Sequence, residues 1–233
     1  MPVYQLDEGL WFPNPKYGEP DGLLAVGGDL SVNRLLLAYS HGIFPWYAYQ
    51  LYDEPHWYCP MERFVILPKE IHISHSMKQL MRQSKYHITM DQDFKGVINA
   101  CSKADSRNTD MGAWLGPQMI RAYTQLHKMG IAHSVEVWEA KETENNTSIP
   151  LRLVGGLYGI DLNGAFFGES MFSLVPSASK LALIHLAQHL EKKGYSFIDC
   201  QFETPHLLSM GGRHIAYEEY MAILNANAHR KKE

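Results

Sequence analysis

A glutamate lies inside the apolar second arm of a β-hairpin that the sequence predicts over residues 153–172. Asn163-Gly164 separates two hydrophobic runs, and this dipeptide favours a type I′ turn because both residues tolerate positive φ. The second arm carries Glu169 among phenylalanine and methionine side chains. A strand of this composition is buried on both faces, so the charge of Glu169 needs a partner. Two interpretations stay open: a structural salt bridge to a Lys or Arg, or a site that holds a cationic group of a ligand, such as an amine.

An acid and an amide occur together in the next predicted strand, residues 195–201. Strand alternation puts Asp199 and Gln201 on one face and Cys200 on the other. We therefore expect the acid and the amide to leave one sheet face side by side. They do so at the carboxyl end of the strand, where open α/β sheets bind ligands.

Other catalytic motifs find little support in the sequence. His185 and His189 are spaced i, i+4 on a predicted helix, but the Glu of a H-E-x-x-H zinc motif is missing, so we expect no metal and no cofactor. Cys200 is better explained as a buried, inert thiol than as a nucleophile. The glycine pair Gly27-Gly28 lacks the rest of a phosphate-binding loop.

The composition is that of an ordinary globular protein, with 233 residues, 45% hydrophobic and 20% charged. Three cysteines, far apart, favour a reducing cytoplasm without disulfides. Neither a signal peptide nor a run of about 20 apolar residues is visible, so we expect a cytoplasmic protein with no membrane partner. The net charge of −4 argues mildly against nucleic acid unless basic residues cluster.

The order of predicted elements indicates an α/β (α+β) fold, in which helices pack on a sheet. Turn-forming residues dominate positions 1–27, and we expect irregular structure there. Helices are predicted at 32–41, 74–85, 117–129 and 178–193, and a strand at 132–139.

Two features indicate contacts with an extended ligand. An aromatic-rich segment, residues 42–58, is mostly the core of a small domain, but one or two of its rings are candidates for stacking on a flat group. Lys78, Arg82 and Lys85 recur at i, i+4, i+7 on a predicted helix. Such a face is usually just solvated, yet it is our candidate phosphate contact.

Seven short motifs, taken together and in this order, resemble the bacterial leucyl/phenylalanyl-tRNA–protein transferase family. The resemblance covers nearly the whole chain. The motifs are GGDLS at 27–31, GIFPW at 42–46, HSVEVW at 133–138, GGLYG at 155–159, GESMFS at 168–173, ASK at 178–180 and DCQ at 199–201.

The resemblance implies an activity and a domain organisation. The family transfers Leu or Phe, and less readily Met, from aminoacyl-tRNA to the N-terminal Arg or Lys of a protein, which marks that protein for degradation by the N-end rule. It implies a small N-terminal domain, residues 1–62, followed by an acetyltransferase-like (GNAT-like) catalytic domain with a mixed sheet, residues 63–233. We expect a monomer.

The resemblance also assigns site residues. Asp199 and Gln201 match the family's catalytic pair, and Glu169 matches a residue that positions the reacting groups. The apolar pocket for the Leu or Phe side chain matches Leu157, Phe166, Leu183, Leu186 and Ile198. Trp46 and Trp114 match rings near the terminal adenosine of the tRNA. The family pattern has Met and Phe where this chain has Leu157 and Leu186, and those exchanges could shift the Leu/Phe preference.

The residues fit this activity in two respects. An aminoacyl ester is already activated, so no ATP or metal site is needed. The loop at residues 173–177 lacks the glycines with which acetyl-CoA enzymes of similar fold bind pyrophosphate. Strict alternation separates Phe166 from Glu169, and a β-bulge near Gly168 would bring both to one pocket.

The mechanism that follows has the α-amine of the acceptor protein attack the ester carbonyl. Gln201 would orient that amine and Asp199 would accept its proton, or Asp199 would instead attract the cationic terminus. Two other functions remain alternatives: a non-catalytic module that binds amino acids or N-degrons, and an acyl-CoA N-acyltransferase.

Overall fold

The computed structural model describes residues 3–83, 85–105, 115–140 and 151–230. The strands in these ranges are β1 (Tyr4–Leu6), β2 (Leu23–Gly27), β3 (Phe44–Trp46), β4 (His56–Tyr58), β5 (Glu62–Ile66), β6 (Tyr86–Met90), β7 (Ala132–Ala140), β8 (Leu151–Leu162), β9 (Ala165–Ser173), β10 (Phe197–Asp199) and β11 (Arg213–Ala216). The helices are α1 (Val32–Ser40), α2 (His75–Arg82), α3 (Phe94–Asp105), α4 (Pro117–Lys128), α5 (Ala178–Lys192), α6 (Pro205–Ser209) and α7 (Tyr217–Arg230).

The strands form two sheets that follow each other along the chain. The N-terminal sheet has the order β1-β2-β4-β3, and the larger sheet has the order β11-β5-β10-β9-β8-β7-β6. In the larger sheet β10 pairs parallel with β9 and antiparallel with β5. The chain passes from one sheet to the other between Tyr58 and Glu62. This confirms the expected mixed α/β fold with a small N-terminal unit.

The larger sheet is covered on both faces, which explains the apolar character of its central strands. One core contains Phe167 of β9 with side chains from α1, α3, α4 and α7. The other contains Phe166 of the same strand with side chains from α2 and α5. Neighbouring residues of β9 therefore enter different cores, as strand alternation requires.

The central hairpin forms as predicted. Asn163 and Gly164 both have positive φ, 51° and 65°, as a type I′ turn needs. Beyond the turn the register of β8 and β9 shifts, because Gly159 pairs with Gly168 while Tyr158 pairs with Ser170. Glu169 is the extra residue on β9, which confirms the bulge expected near Gly168.

Three expectations about secondary structure are wrong. Residues 1–27 contain β1 and β2, which pair in parallel with Tyr4 opposite Ala25, a long-range contact that local turn signals do not reveal. Helix α2 ends at Arg82, so Lys85 lies outside the predicted basic helical stripe. Strand β10 ends at Asp199, so alternation does not extend to Gln201, whose φ is +59°.

No helix in the four described ranges is both long and apolar enough to span a bilayer.

Candidate functional site

An apolar cavity of about 490 Å³ lies beside the carboxyl ends of β9 and β10. Four of the residues assigned to the apolar pocket line it together, namely Leu157, Leu183, Leu186 and Ile198. The polar part of its lining includes the two candidate site residues Glu169 and Gln201. We call this space the acyl cavity. It combines an apolar wall with a carboxylate and an amide.

Phe166 is buried in the same apolar core as these four residues, but it does not share the lining described for the acyl cavity. It lines a separate cavity of about 180 Å³, which also contacts Leu186. Phe166 therefore supports the wall of the acyl cavity from within the core.

A second cavity, of about 240 Å³, adjoins the acyl cavity. Glu169 and Gln201 line both, and the second adds the aromatic rings of Phe44, Trp46 and Phe202. The rings of Trp46 and Phe202 meet edge to face, with centroids 6.5 Å apart. We call this space the aromatic cavity. The other candidate ring, Trp114, lies outside the described residues.

The carboxylate of Glu169 is held by two tyrosine hydroxyls. Tyr39 of α1 donates to Oε1 at 2.7 Å and Tyr123 of α4 donates to Oε2 at 2.6 Å. The two hydroxyls also lie 2.6 Å from each other. Among the described residues no Lys or Arg lies within ion-pair distance of Glu169, so the salt-bridge interpretation is not realised there.

Burial dominates the electrostatics of Glu169. Desolvation raises the pKa of this carboxyl to about 7, although hydrogen bonds from Tyr123 and Tyr39 act in the opposite direction. Burial, together with the charge of Glu169, raises the pKa of both tyrosines, so they stay protonated and donate. A carboxylate with this pKa exchanges a proton near neutral pH and attracts a cation when ionised.

Asp199 lies behind the cavities rather than in them. Its side chain is 0% exposed, and Arg63 Nε of β5 lies 3.0 Å from the carboxylate. The hydroxyl of Tyr220 donates to Asp199 Oδ2 at 2.8 Å. Asp199 is not among the residues that line either cavity as the structure describes them. The expectation that Asp199 and Gln201 emerge side by side is therefore wrong.

Gln201 reaches both cavities because the backbone turns after β10. Its φ of +59° is in the left-handed region, which residues other than Gly and Asn rarely adopt. Its backbone N–H donates to Asp199 Oδ1 at 2.9 Å. The buried acid thus contacts the backbone of the residue whose side chain lines the cavities.

The three candidate phosphate contacts, Lys78, Arg82 and Lys85, differ in position and in ion pairing. Lys78 and Arg82 are exposed on α2. Lys85, beyond the helix, is also exposed, but its Nζ lies 3.1 Å from Glu139. Two cations on one helix face are therefore left for contact with a polyanion.

Sequence reasoning missed four side chains of this site: Tyr39, Arg63, Tyr123 and Tyr220. The tyrosines look like ordinary core residues in their helices, because nothing local distinguishes a hydroxyl that meets a carboxylate from one that reaches solvent. Arg63 did carry a signal: a cation directly before the apolar run Phe64-Val65-Ile66 predicts a buried charge that needs an acidic partner.

Other chemistry has no geometric support in the described ranges. These residues contain no group of three or more His, Cys, Asp or Glu side chains arranged to hold a metal ion. Burial and the charge of Asp199 raise the pKa of the Cys200 thiol, which makes it a poor nucleophile although it lines the acyl cavity.

The fold and site together define an α/β protein with a concave, mostly apolar cavity that also presents a carboxylate, the usual form of a small-ligand site. Comparison with family models identifies the particular family. The model described as "Leucyl/phenylalanyl-tRNA protein transferase" matches residues 65–225, and that of the family's N-terminal domain matches residues 28–61.

Curated relatives match over almost the full chain. A protein named leucyl/phenylalanyl-tRNA–protein transferase from Desulforapulum autotrophicum is 46% identical over 232 residues, which cover 99% of this chain and 95% of the relative. Proteins of the same name from Syntrophobacter fumaroxidans and Nitrosomonas eutropha are 45% and 47% identical, over 97% and 88% of this chain and 92% and 82% of the relatives. The chain belongs to the leucyl/phenylalanyl-tRNA–protein transferase family.

Proposed function

We propose that this protein transfers Leu or Phe, and less readily Met, from aminoacyl-tRNA to the N-terminal Arg or Lys of an acceptor protein. The observation that carries the proposal is the acyl cavity, whose apolar wall lies beside Glu169 and Gln201, two residues that also line the aromatic cavity. An apolar wall selects Leu and Phe side chains because each buried methylene contributes about 0.8 kcal/mol.

The aromatic cavity is suited to the terminal adenosine of the tRNA. Trp46, Phe44 and Phe202 supply rings at its wall. Stacking of a base on such a ring contributes about 1–3 kcal/mol and does not depend on the sequence of the nucleic acid. Lys78, Arg82 and Lys85 are the proposed contacts to the phosphates of the tRNA, with Lys85 released from Glu139 when RNA binds.

The reaction is an aminolysis of an ester. The acceptor's α-amine attacks the aminoacyl carbonyl, a C–N bond forms, and the bond from the carbonyl carbon to the 3′-oxygen breaks. The amine loses a proton, and the leaving oxygen gains one. An α-amine has a pKa of about 7.7–8.0, so roughly a tenth is already unprotonated at neutral pH. General-base help therefore needs to be only modest.

Glu169 is the carboxylate that faces this amine. It lines both cavities, has no cationic partner among the described residues, and has a pKa of about 7. In its ionised form it attracts an ammonium group, and it can take up the proton that the amine releases. Gln201, on the same walls, orients the reacting groups by hydrogen bonds. Asp199, which we expected either to accept the proton or to attract the cationic terminus, is enclosed and paired with Arg63.

The biological consequence that we propose is destruction of the acceptor by the N-end rule, in the cytoplasm. The protein acts as a monomer with a small N-terminal domain, residues 1–62, and a GNAT-like catalytic domain, residues 63–233.

A transfer assay tests the proposal. Purified protein is mixed with radiolabelled leucyl-tRNA and one of two peptides that differ only in their first residue, Arg or Asp, without ATP or added metal. We expect label to reach the Arg peptide alone. Binding of leucyl-tRNA without transfer to either peptide would instead indicate a non-catalytic binding module.

A further inference from the structure

We infer that Arg63 and Tyr220 are positioning residues, which act through Asp199 to fix the backbone of Gln201 so that its amide reaches both cavities. This inference rests on the proposed function, because it concerns how the transferase site is held in shape. Neither residue lines the acyl or the aromatic cavity as described.

The network is buried. Arg63 and Asp199 are 1% and 0% exposed, and Arg63 Nε lies 3.0 Å from the carboxylate. Tyr220 donates to Asp199 Oδ2 at 2.8 Å, and the Gln201 N–H donates to Oδ1 at 2.9 Å. Each carboxylate oxygen therefore has a defined partner. Rotation of the carboxylate would break both the hydrogen bond to Tyr220 and that to Gln201.

Arg63 is itself held from two sides. Its guanidinium carbon lies 4.9 Å from the ring centres of both Phe44 and Tyr220. Its Nη2 donates to the carbonyl of Gly42, just before β3 of the N-terminal sheet. Phe44 lines the aromatic cavity. Arg63 thus contacts Phe44 in the wall of that cavity and, through Asp199, also supports Gln201, which lines the same cavity.

The backbone of Gln201 needs this support. A left-handed conformation disfavours a residue with a Cβ atom, and such residues persist only where the surroundings hold them. Two hydrogen bonds hold this one: the N–H donates to Asp199, and the carbonyl accepts from Phe64 N of β5 at 3.3 Å. Loss of the first would let the backbone relax and carry the side chain away from its position.

The same geometry argues against a direct proton transfer to Asp199. A proton on this carboxylate would leave the buried guanidinium of Arg63 without its counter-charge, which is costly in the interior of a protein. Asp199 therefore serves as the partner of Arg63 and as the acceptor that holds the backbone of Gln201.

The test compares two tyrosines at the start of α7. Tyr220→Phe removes the hydroxyl that holds Asp199, whereas Tyr217→Phe removes one that donates to the backbone carbonyl of His41 at 3.2 Å. We expect Tyr220→Phe to lower kcat for leucine transfer about tenfold, as suits loss of a hydrogen bond to a charged group, with both KM values within about twofold of wild type. Tyr217→Phe should keep kcat within about twofold.

A second measurement does not depend on activity. Amide hydrogen exchange at Gln201 reports the bond to Asp199 directly, and we expect its protection to fall about tenfold in Tyr220→Phe but not in Tyr217→Phe. Unchanged protection in Tyr220→Phe would overturn the inference, as would equal kcat in the two variants or a raised KM with unchanged kcat. Absence of transfer by the wild-type protein would contradict the proposed function, and exchange would still decide whether Tyr220 holds Gln201.

Discussion

Tyr123 on α4 donates a hydrogen bond of 2.6 Å to Glu169, the extra residue of the bulge in β9. The tyrosine and the glutamate are 46 residues apart in the chain. Tyr39 of α1 holds the other carboxylate oxygen, so a helix that follows the first strands of the N-terminal sheet contributes directly to the site. This arrangement keeps a carboxylate in a desolvated position without a cationic partner among the described residues.

The raised pKa of Glu169 predicts a specific pH dependence of stability. Its pKa of about 7 in the folded protein is above the ordinary value of 4.5, so the folded state binds more protons than the unfolded state between these values. Stability then falls as pH rises through this window. Glu169→Gln removes the effect. We expect the melting temperature of Glu169→Gln, relative to wild type, to increase between about pH 5 and about pH 8. Parallel curves would show that Glu169 does not titrate there.

Removal of either tyrosine hydroxyl should shift the pH profile of transfer. The hydrogen bonds from Tyr123 and Tyr39 lower the pKa of Glu169, so Tyr123→Phe raises it. If the ionised carboxylate is the active form, the acid limb of the kcat profile moves to higher pH. Tyr158→Phe is the matched control, because its ring lies 5.4 Å from that of Tyr123 but its buried hydroxyl has no hydrogen-bond partner among the described residues. A shift in the control as large as that in Tyr123→Phe would contradict this explanation.

The acyl cavity predicts a change in specificity. Leu183 is 2% exposed and lines the cavity, so Leu183→Phe reduces the space for the acyl side chain. We expect kcat/KM for phenylalanyl-tRNA to fall at least about tenfold more than that for leucyl-tRNA, as hydrophobic pockets discriminate by size. Leu208→Phe, at a side chain that is 52% exposed, should change neither value. Equal losses for both substrates would indicate general damage instead.

The exposed cations of α2 predict salt-dependent tRNA binding. Lys78→Glu and Arg82→Glu should each weaken binding of leucyl-tRNA and phenylalanyl-tRNA alike, and reduce the slope of log K against log salt by about 1. Lys95→Glu, at an exposed position on α3, makes the same change of charge elsewhere and serves as the control. A loss confined to one tRNA, or an equal loss in the control, would argue against a phosphate contact at this helix.

Gly159 and Gly168, which pair next to the bulge, should differ in how well they tolerate substitution by Ala. A Cβ atom at Gly159 would lie 2.1 Å from the carbonyl of Phe167 and 2.4 Å from the ring of Phe166, whereas one at Gly168 would lie 3.5 Å from the carbonyl of Asp199. We expect Gly159→Ala to cost at least about 1–3 kcal/mol of unfolding free energy, and Gly168→Ala clearly less. Denaturant titration measures both. A smaller loss in Gly159→Ala would mean that the sheet adjusts freely at this register.

Local sequence determined much of the fold. Asn163-Gly164 specifies its turn because only residues that tolerate positive φ fit there, and both angles are positive in the structure. Ser31 and Ser74 accept the hydrogen bonds of helix N-caps at α1 and α2. Such signals act over a few residues and can be recognised without knowledge of the fold. The apolar spacing in α5 likewise brought Leu183 and Leu186 to one cavity.

The sequence by itself also marked Glu169 as a charge that required an explanation, and its motifs led to the correct family. Tertiary structure decided what that charge meets. Strand order, the bulge and the approach of α1 and α4 bring Tyr39 and Tyr123 to Glu169, and the end of β10 separates Asp199 from Gln201. These contacts join residues that are far apart in the chain. The energy of each contact depends on how deeply its groups are buried. Burial is a property of the packed molecule, so local patterns did not reveal that Asp199 is enclosed with Arg63 while Glu169 faces the cavities.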